Sequence, residues 1–274
     1  MYPKIKSFLS LLGNDHKPLF FAKVDVTSAF DTIPQSGIFK LALQLFGSSK
    51  YEISKHMEMK PGESRSSAFM SKPSKRWKAI AHRMSNEMTF EQRVIEVLSL
   101  GHKNTVFVEN VVHSVKESRD LIALLIEHVQ RNLVKIGKKF YRQKAGIPQG
   151  SILSSLLCNY FYADLEATHF GFLQNGNNLL LRLIDDFLLI TTDQSSAKAF
   201  LQIMHDGLPA YGVRVNPTKT LANFEVFING MRVPRLMGSR SFPYCGNYID
   251  TKTLNVTKDI NRSKDIGMYH HIQA

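Results

Sequence analysis

Between Leu179 and Ile190 the chain reads LLLRLIDDFLLI, with two adjacent aspartates, Asp185 and Asp186, set between apolar runs. Such runs are long enough for two strands, so the aspartates fall at the tip of a hairpin built for a core. An ionised carboxylate costs several kcal/mol to bury without a partner, and two side by side repel unless a cation lies between them. A divalent metal meets both requirements. Taken alone, an Asp-Asp pair is equally at home in a two-residue surface turn.

A further carboxylate of the same kind lies upstream. Residues 19–26, LFFAKVDV, read as a buried strand interrupted only by Lys23 and Asp25, which puts Asp25 at or near a strand end. An isolated buried Asp usually bonds to backbone. An Asp-bearing strand together with an Asp-Asp hairpin is the arrangement with which polymerase palms hold two metal ions ~4 Å apart for an in-line displacement. That chemistry needs mainly position and charge neutralisation. Between the two elements lies KAGIPQGS, residues 144–151, and then a segment with apolar pairs at 152/153, 156/157 and 160/161. The four-residue repeat behind Ser151 predicts a loop entering a buried helix with Ser151 as its N-cap. Glycines before a helix N-terminus let backbone approach a phosphate closely.

These segments carry a family resemblance. Asp25–Gln35 (DVTSAFDTIPQ) resembles motif A of reverse transcriptases, Gly146–Ser151 (GIPQGS) motif B, and Leu183–Phe187 (LIDDF) motif C. Gly212–Thr220 (GVRVNPTKT) resembles motif D, and Phe242–Asp250 (FPYCGNYID) resembles motif E, the primer grip. The wording is similar to telomerase reverse transcriptase. Leu183 in particular stands where most other reverse transcriptases carry an aromatic residue.

The resemblance implies an α+β right-hand polymerase palm, an antiparallel sheet backed by helices, with a mainly helical basic insertion. It implies RNA-directed DNA polymerase activity extending telomeric ends, with Asp25, Asp185 and Asp186 holding two Mg2+ ions and Lys219 donating a proton to the leaving pyrophosphate. Gln149 and Gly150 would position template and nucleotide, Tyr244, Cys245 and Gly246 would hold the primer end, and Leu183 would face nucleic acid. Phe30 stands where relatives carry a steric gate against a ribose 2′-hydroxyl; its periodicity alone makes it core. Without the family, Lys219 would be a solvated loop lysine. Asp31 is expected to cap the following helix or join a buried ion pair, and Arg182 to face away from the metals with no assigned role.

Four regions follow: palm with motif A in 1–44, an insertion in the fingers domain in 45–118, palm with motifs B to E in 119–256, and the start of a thumb in 257–274. Within the insertion, residues 60–83 contain Lys60, Arg65, Lys72, Lys75, Arg76, Lys78 and Arg83 against Glu63, and the sole Trp, Trp77. Lys72, Lys75, Arg76 and Lys78 are the candidate nucleic-acid contacts; the alternative is a solvated basic face. Leu121 through Val134 is expected to form an amphipathic helix under the palm, and Lys138–Gln143 a strand. By comparison with the family, the finger strands, the RNA-binding and DNA-anchor domains and most of the thumb lie outside this sequence, and the isolated chain is expected to be inactive.

A formal charge of +12 and a pI near 9.6 suit a polyanionic partner, and equally an acidic-substrate enzyme or an anionic-membrane binder. Two cysteines, Cys158 and Cys245, exclude a disulfide framework and favour a reducing compartment. No apolar stretch reaches the ~20 residues of a membrane span, so no membrane partner is expected. The partners implied by the resemblance are telomerase RNA, a telomeric single-stranded DNA primer, deoxynucleoside triphosphates and further holoenzyme subunits, in the nucleus at chromosome ends. Two alternatives stand beside this: a mobile-element reverse transcriptase, against which Leu183 and motif E speak, and a nucleic-acid scaffold without chemistry, against which the intact carboxylates speak.

Overall fold

A computed structural model describes residues 2–13, 17–61, 72–83, 90–99 and 104–260. Glu63, Arg65 and most of the expected thumb segment (261–274) lie outside the described residues. In chain order the elements are α1 (Tyr2–Leu12), β1 (Phe20–Asp25), α2 (Ala29–Thr32), α3 (Gln35–Leu45), β2 (Lys50–Lys60), β3 (Ser74–Arg83), α4 (Phe90–Ser99), β4 (Val106–Glu117) and α5 (Ser118–Gln130). There follow β5 (Leu133–Ile136), β6 (Lys139–Arg142), α6 (Ile152–His169), β7 (Asn178–Leu183), β8 (Asp186–Thr191), α7 (Gln194–Asp206), β9 (Leu221–Ala222), β10 (Phe227–Ile228), β11 (Met231–Arg232), β12 (Ser241–Tyr244), β13 (Asn247–Asp250) and β14 (Val256–Lys258). The chain divides into two units, residues 1–38 with 132–274, and residues 39–131.

The first unit is built on the antiparallel sheet β7-β8-β1-β9. Its strands are apolar on both faces because both are covered. On one face Phe21, Leu181, Leu188 and Ile190 pack with Ile5 and Phe8 of α1 and with Phe242, Tyr244 and Ile249 of the β12–β13 hairpin. The other face carries Ala22, Val24, Phe187 and Leu189, all buried. The ring of Tyr162 from α6 lies 5.9 Å from Phe187, and α7 packs on β1 and β8. The pattern of α6 is only partly as its sequence predicts. Leu157 and Phe161 are buried, but Ile152 is 94% exposed and Leu156 64%, the buried stripe running instead through Ser154, Cys158, Tyr162 and Leu165. Ser151 occupies the N-cap without a side-chain capping bond.

The second unit corrects the expectation of a mainly helical insertion. Its centre is the long antiparallel sheet β3-β2-β4, joined by α4 and α5. The strand signal is concealed because the buried positions of β2 are Ser54, His56 and Glu58, so alternation exists in burial but not in hydrophobicity. Burial opposes ionisation of Glu58, yet hydrogen bonds from Lys78 and His56 prevail and hold its carboxyl below the usual range. The helix expected through Val134 ends at Gln130, and Leu133 and Val134 belong to β5, which pairs with β6 in the first unit.

Candidate active site

The register of the central strands assembles the site. Asp25, the last residue of β1, stands directly opposite Asp186, the first residue of β8, and Leu183 closes the same level from β7. Side chains opposite one another share a face, so Asp25 and Asp186 point to the side on which the β12–β13 hairpin packs. Ile184 and Asp185 form the two-residue turn. Ile184 has φ +58°, a conformation that costs a β-branched residue on the order of 1–3 kcal/mol and persists only where its surroundings impose it. Two such supports are the Val26 N–H donating to the Asp185 carbonyl at 3.2 Å and the Tyr244 hydroxyl donating to the Asp186 carbonyl at 3.0 Å.

The electrostatics reflect crowding of like charge. Burial, and after it the neighbouring charges of Asp186 and Asp25, push the Asp185 carboxyl above its ordinary range. The Lys219 ammonium lies 3.3 Å from both carboxylate oxygens of Asp25. Asn216 shapes that approach: its side chain accepts from the Thr218 N–H and hydroxyl, its carbonyl accepts from the Lys219 N–H, and its own N–H donates to the Asp25 carbonyl.

Among the described residues no group of three acidic, His or Cys side chains is already set around one ion. The donor chemistry fits a divalent metal nonetheless. Asp185, pushed up by burial and by the charges of Asp186 and Asp25, and Asp25, which borrows a lysine ammonium as its cation, are oxygen ligands short of positive charge.

Motif B is fastened to motif A. The Ile147 N–H donates to the Phe30 carbonyl at 2.7 Å, and the Gln35 side-chain amide donates to the Gly146 carbonyl at 2.9 Å. A Cβ on Gly146 would lie 2.2 Å from the Phe30 carbonyl oxygen, so this glycine serves approach of backbone to backbone rather than to a ligand. Gly150, with nothing within 4 Å, is the open position of the loop. Exposed Gln149 donates to the Asp31 carboxylate at 3.0 Å, which replaces the cap or buried ion pair expected of Asp31. Phe30 is half-buried on α2.

The motif E residues arrive as a hairpin turn. Cys245 (φ +48°) and Gly246 (φ +72°) join β12 to β13 with both central residues left-handed, the twist that two-residue hairpins favour. The Cys245 thiol donates to Asp186 Oδ2 at 3.6 Å, and burial followed by the Asp186 charge raises its pKa to about 11. Burial likewise pushes the Tyr244 hydroxyl up. The direct seating of this turn on Asp186 is a link that sequence reasoning missed; the residues are 58 or more apart and no local pattern joins them. Leu183 is 56% exposed beside Asp186. Lys72, Lys75, Arg76 and Lys78 are exposed in the other unit.

The chain is similar to the telomerase reverse transcriptase of Takifugu rubripes, 30% identical over 260 residues, covering 93% of this chain and 24% of that protein. It is also similar to that of Canis lupus familiaris, 36% identical over 253 residues, covering 90% and 22%. The chain thus spans about a quarter of the length of these relatives. Among solved structures, apo telomerase from Candida tropicalis superposes with a TM-score of 0.61 at 21% identity, over 94% of this chain and 35% of that one. Telomerase from Candida albicans in complex with a TWJ fragment of telomeric RNA gives 0.58 at 22%, over 94% and 34%. The fold is therefore theirs. Residues 107–249 match the family described as Reverse transcriptase (RNA-dependent DNA polymerase), a span that takes in motifs B to E and leaves Asp25 outside. More than half of the sequence lies within that match, and the chain accordingly belongs to the reverse transcriptase family.

Proposed function

We propose that this chain is the palm, with the fingers insertion, of a telomerase reverse transcriptase, an RNA-directed DNA polymerase that extends telomeric DNA on an RNA template. The observation that carries it is the pairing of Asp25 with Asp186, Asp185 lying in the adjoining turn, in a chain whose curated relatives bear that name. Enzymes of the reverse transcriptase family depend on divalent metal. Our finer reading is two Mg2+ ions, with Asp25 and Asp185 holding both and Asp186 assisting. Once bound, they would supply charge neutralisation for the triphosphate and a readied primer 3′-hydroxyl.

The chain's own groups complete the site. Lys219 is 61% exposed and bound to Asp25, so it can turn to a triphosphate and protonate the departing pyrophosphate. Phe30 borders the position of the sugar. Gln149 and Gly150, the exposed part of their loop, would meet template and nucleotide. Tyr244, Cys245 and Gly246 would hold the primer end, and their seat on Asp186 would fix that end relative to the carboxylates. Leu183, and Lys72, Lys75, Arg76 and Lys78 of the insertion, would contact nucleic acid. The partners are telomerase RNA, single-stranded telomeric DNA, deoxynucleoside triphosphates and other holoenzyme subunits, in the nucleus at chromosome ends. Among the described residues no helix is long and apolar enough to cross a membrane.

Primer extension by the full-length protein with its co-purified RNA tests this. Extension of a telomeric primer in short repeats, abolished by prior ribonuclease treatment, is expected. Extension that survives ribonuclease and copies any added template would contradict it.

A further inference from the structure

Arg182 lies on β7 opposite Phe187 of β8, which puts it on the face of the sheet away from Asp25 and Asp186. It is an arginine with only 11% of its side chain exposed, and every donor group is engaged. Its Nε donates to Glu166 of α6, its Nη2 to the Asn159 carbonyl at 3.0 Å, and its Nη1 to Asn159 Oδ1 at 2.8 Å. The same Nη1 reaches the carbonyl of Ile184 at 3.3 Å. Its guanidinium carbon lies over the rings of Tyr162 and Phe187, 5.9 and 5.7 Å from their centres.

Ile184 is the left-handed residue of the Asp-Asp turn, and its carbonyl completes a series. The carbonyls of Ile184, Asp185 and Asp186 accept in turn from Arg182, Val26 and Tyr244, three groups held by three different parts of the fold. Arg182 is the only one of the three whose bond falls on the strained residue. It is also the one anchored to a helix, so the turn is referred to α6 rather than only to its own strands.

We infer that Arg182 is a positioning residue: by tying the Ile184 carbonyl to Asn159 and Glu166 it fixes the turn that presents Asp185 and Asp186. The inference rests on the proposed role of those aspartates. A lysine keeps the charge but offers one point of attachment in place of a planar fork, so it cannot reach Glu166, Asn159 and Ile184 together.

The test compares Arg182→Gln, Arg182→Lys, Asn159→Ala and Asp185→Asn in the full-length protein with its RNA. Misplacement of reacting groups by about 1 Å lowers rate on the order of a hundredfold. Arg182→Gln should lose kcat on that scale with KM for primer and nucleotide unchanged, Arg182→Lys less, and Asn159→Ala least. Amide hydrogen exchange in residues 183–187 should accelerate in the same order while RNA binding stays intact. If Arg182→Gln does not fold, Arg182→Lys and Asn159→Ala carry the comparison. Wild-type kcat and exchange in the folded Arg182 variants would overturn the inference, as would a loss confined to KM. If Asp185→Asn remains active, the role of the aspartates fails first; if it is inactive while the Arg182 variants are not, only the positioning role fails.

Discussion

Asp25 and the Asp185–Asp186 pair were legible because a charge inside an apolar run is a local anomaly, detectable without knowing what packs against it. Gln149 and Asp31 show the converse: an exposed amide and an exposed carboxylate 118 positions apart carry no signal until the fold joins them. Phe30 lies between these cases. Its half-buried ring sits on α2, and its carbonyl, bonded to Ile147, ties that turn to the motif B loop. On our proposal this ring is the group that excludes a ribose 2′-hydroxyl. Phe30→Ala in the full-length enzyme should therefore gain ribonucleotide incorporation relative to deoxyribonucleotide. Proportional loss of both, with a stability loss of ~3–5 kcal/mol, would mark the ring as packing alone.

At the level of elements, the Asp25 strand and the Asp-Asp hairpin followed from their apolar runs, whereas the insertion did not. Its β2 buries Ser54, His56 and Glu58, and a buried face built from polar groups erases the periodicity that identifies a strand. The sheet also divides the basic run. Opposite residues share a face, so Arg76 and Lys78 lie with Glu58 and His56, while Lys75 and Trp77 lie on the other side with Met59 and Met57. Lys78 is occupied, 2.7 Å from Glu58. Lys75→Gln and Arg76→Gln are expected to weaken duplex binding and to flatten its salt dependence by ~0.9 in log–log slope for each phosphate left without its cation. Lys78→Gln is expected in addition to lower Tm, since it strips a buried carboxylate of its cation. An unchanged slope in the first two variants would identify a solvated face.

Across the whole molecule, five motifs dispersed from Asp25 to Asp250 converge on one sheet end, motifs A to D through backbone links and motif E through the Tyr244 and Cys245 side chains. Motif C pairs with motif A in the ladder, motif D lies along the end of β1 through Val26 and Val215, motif B hangs from Phe30, and motif E rests on Asp186. This explains why the chemistry was readable while the scaffold was not: carboxylates declare themselves in sequence, but the contacts that aim them are long-range and mostly main-chain. Nucleotidyl transfer by these carboxylates is a proposal that one measurement decides. Its most direct test is single-turnover primer extension by the full-length protein with co-purified RNA, comparing wild type with Asp185→Asn. The expected result is a loss on the order of a thousandfold with RNA and primer binding intact; near-wild-type extension by Asp185→Asn would overturn the proposal.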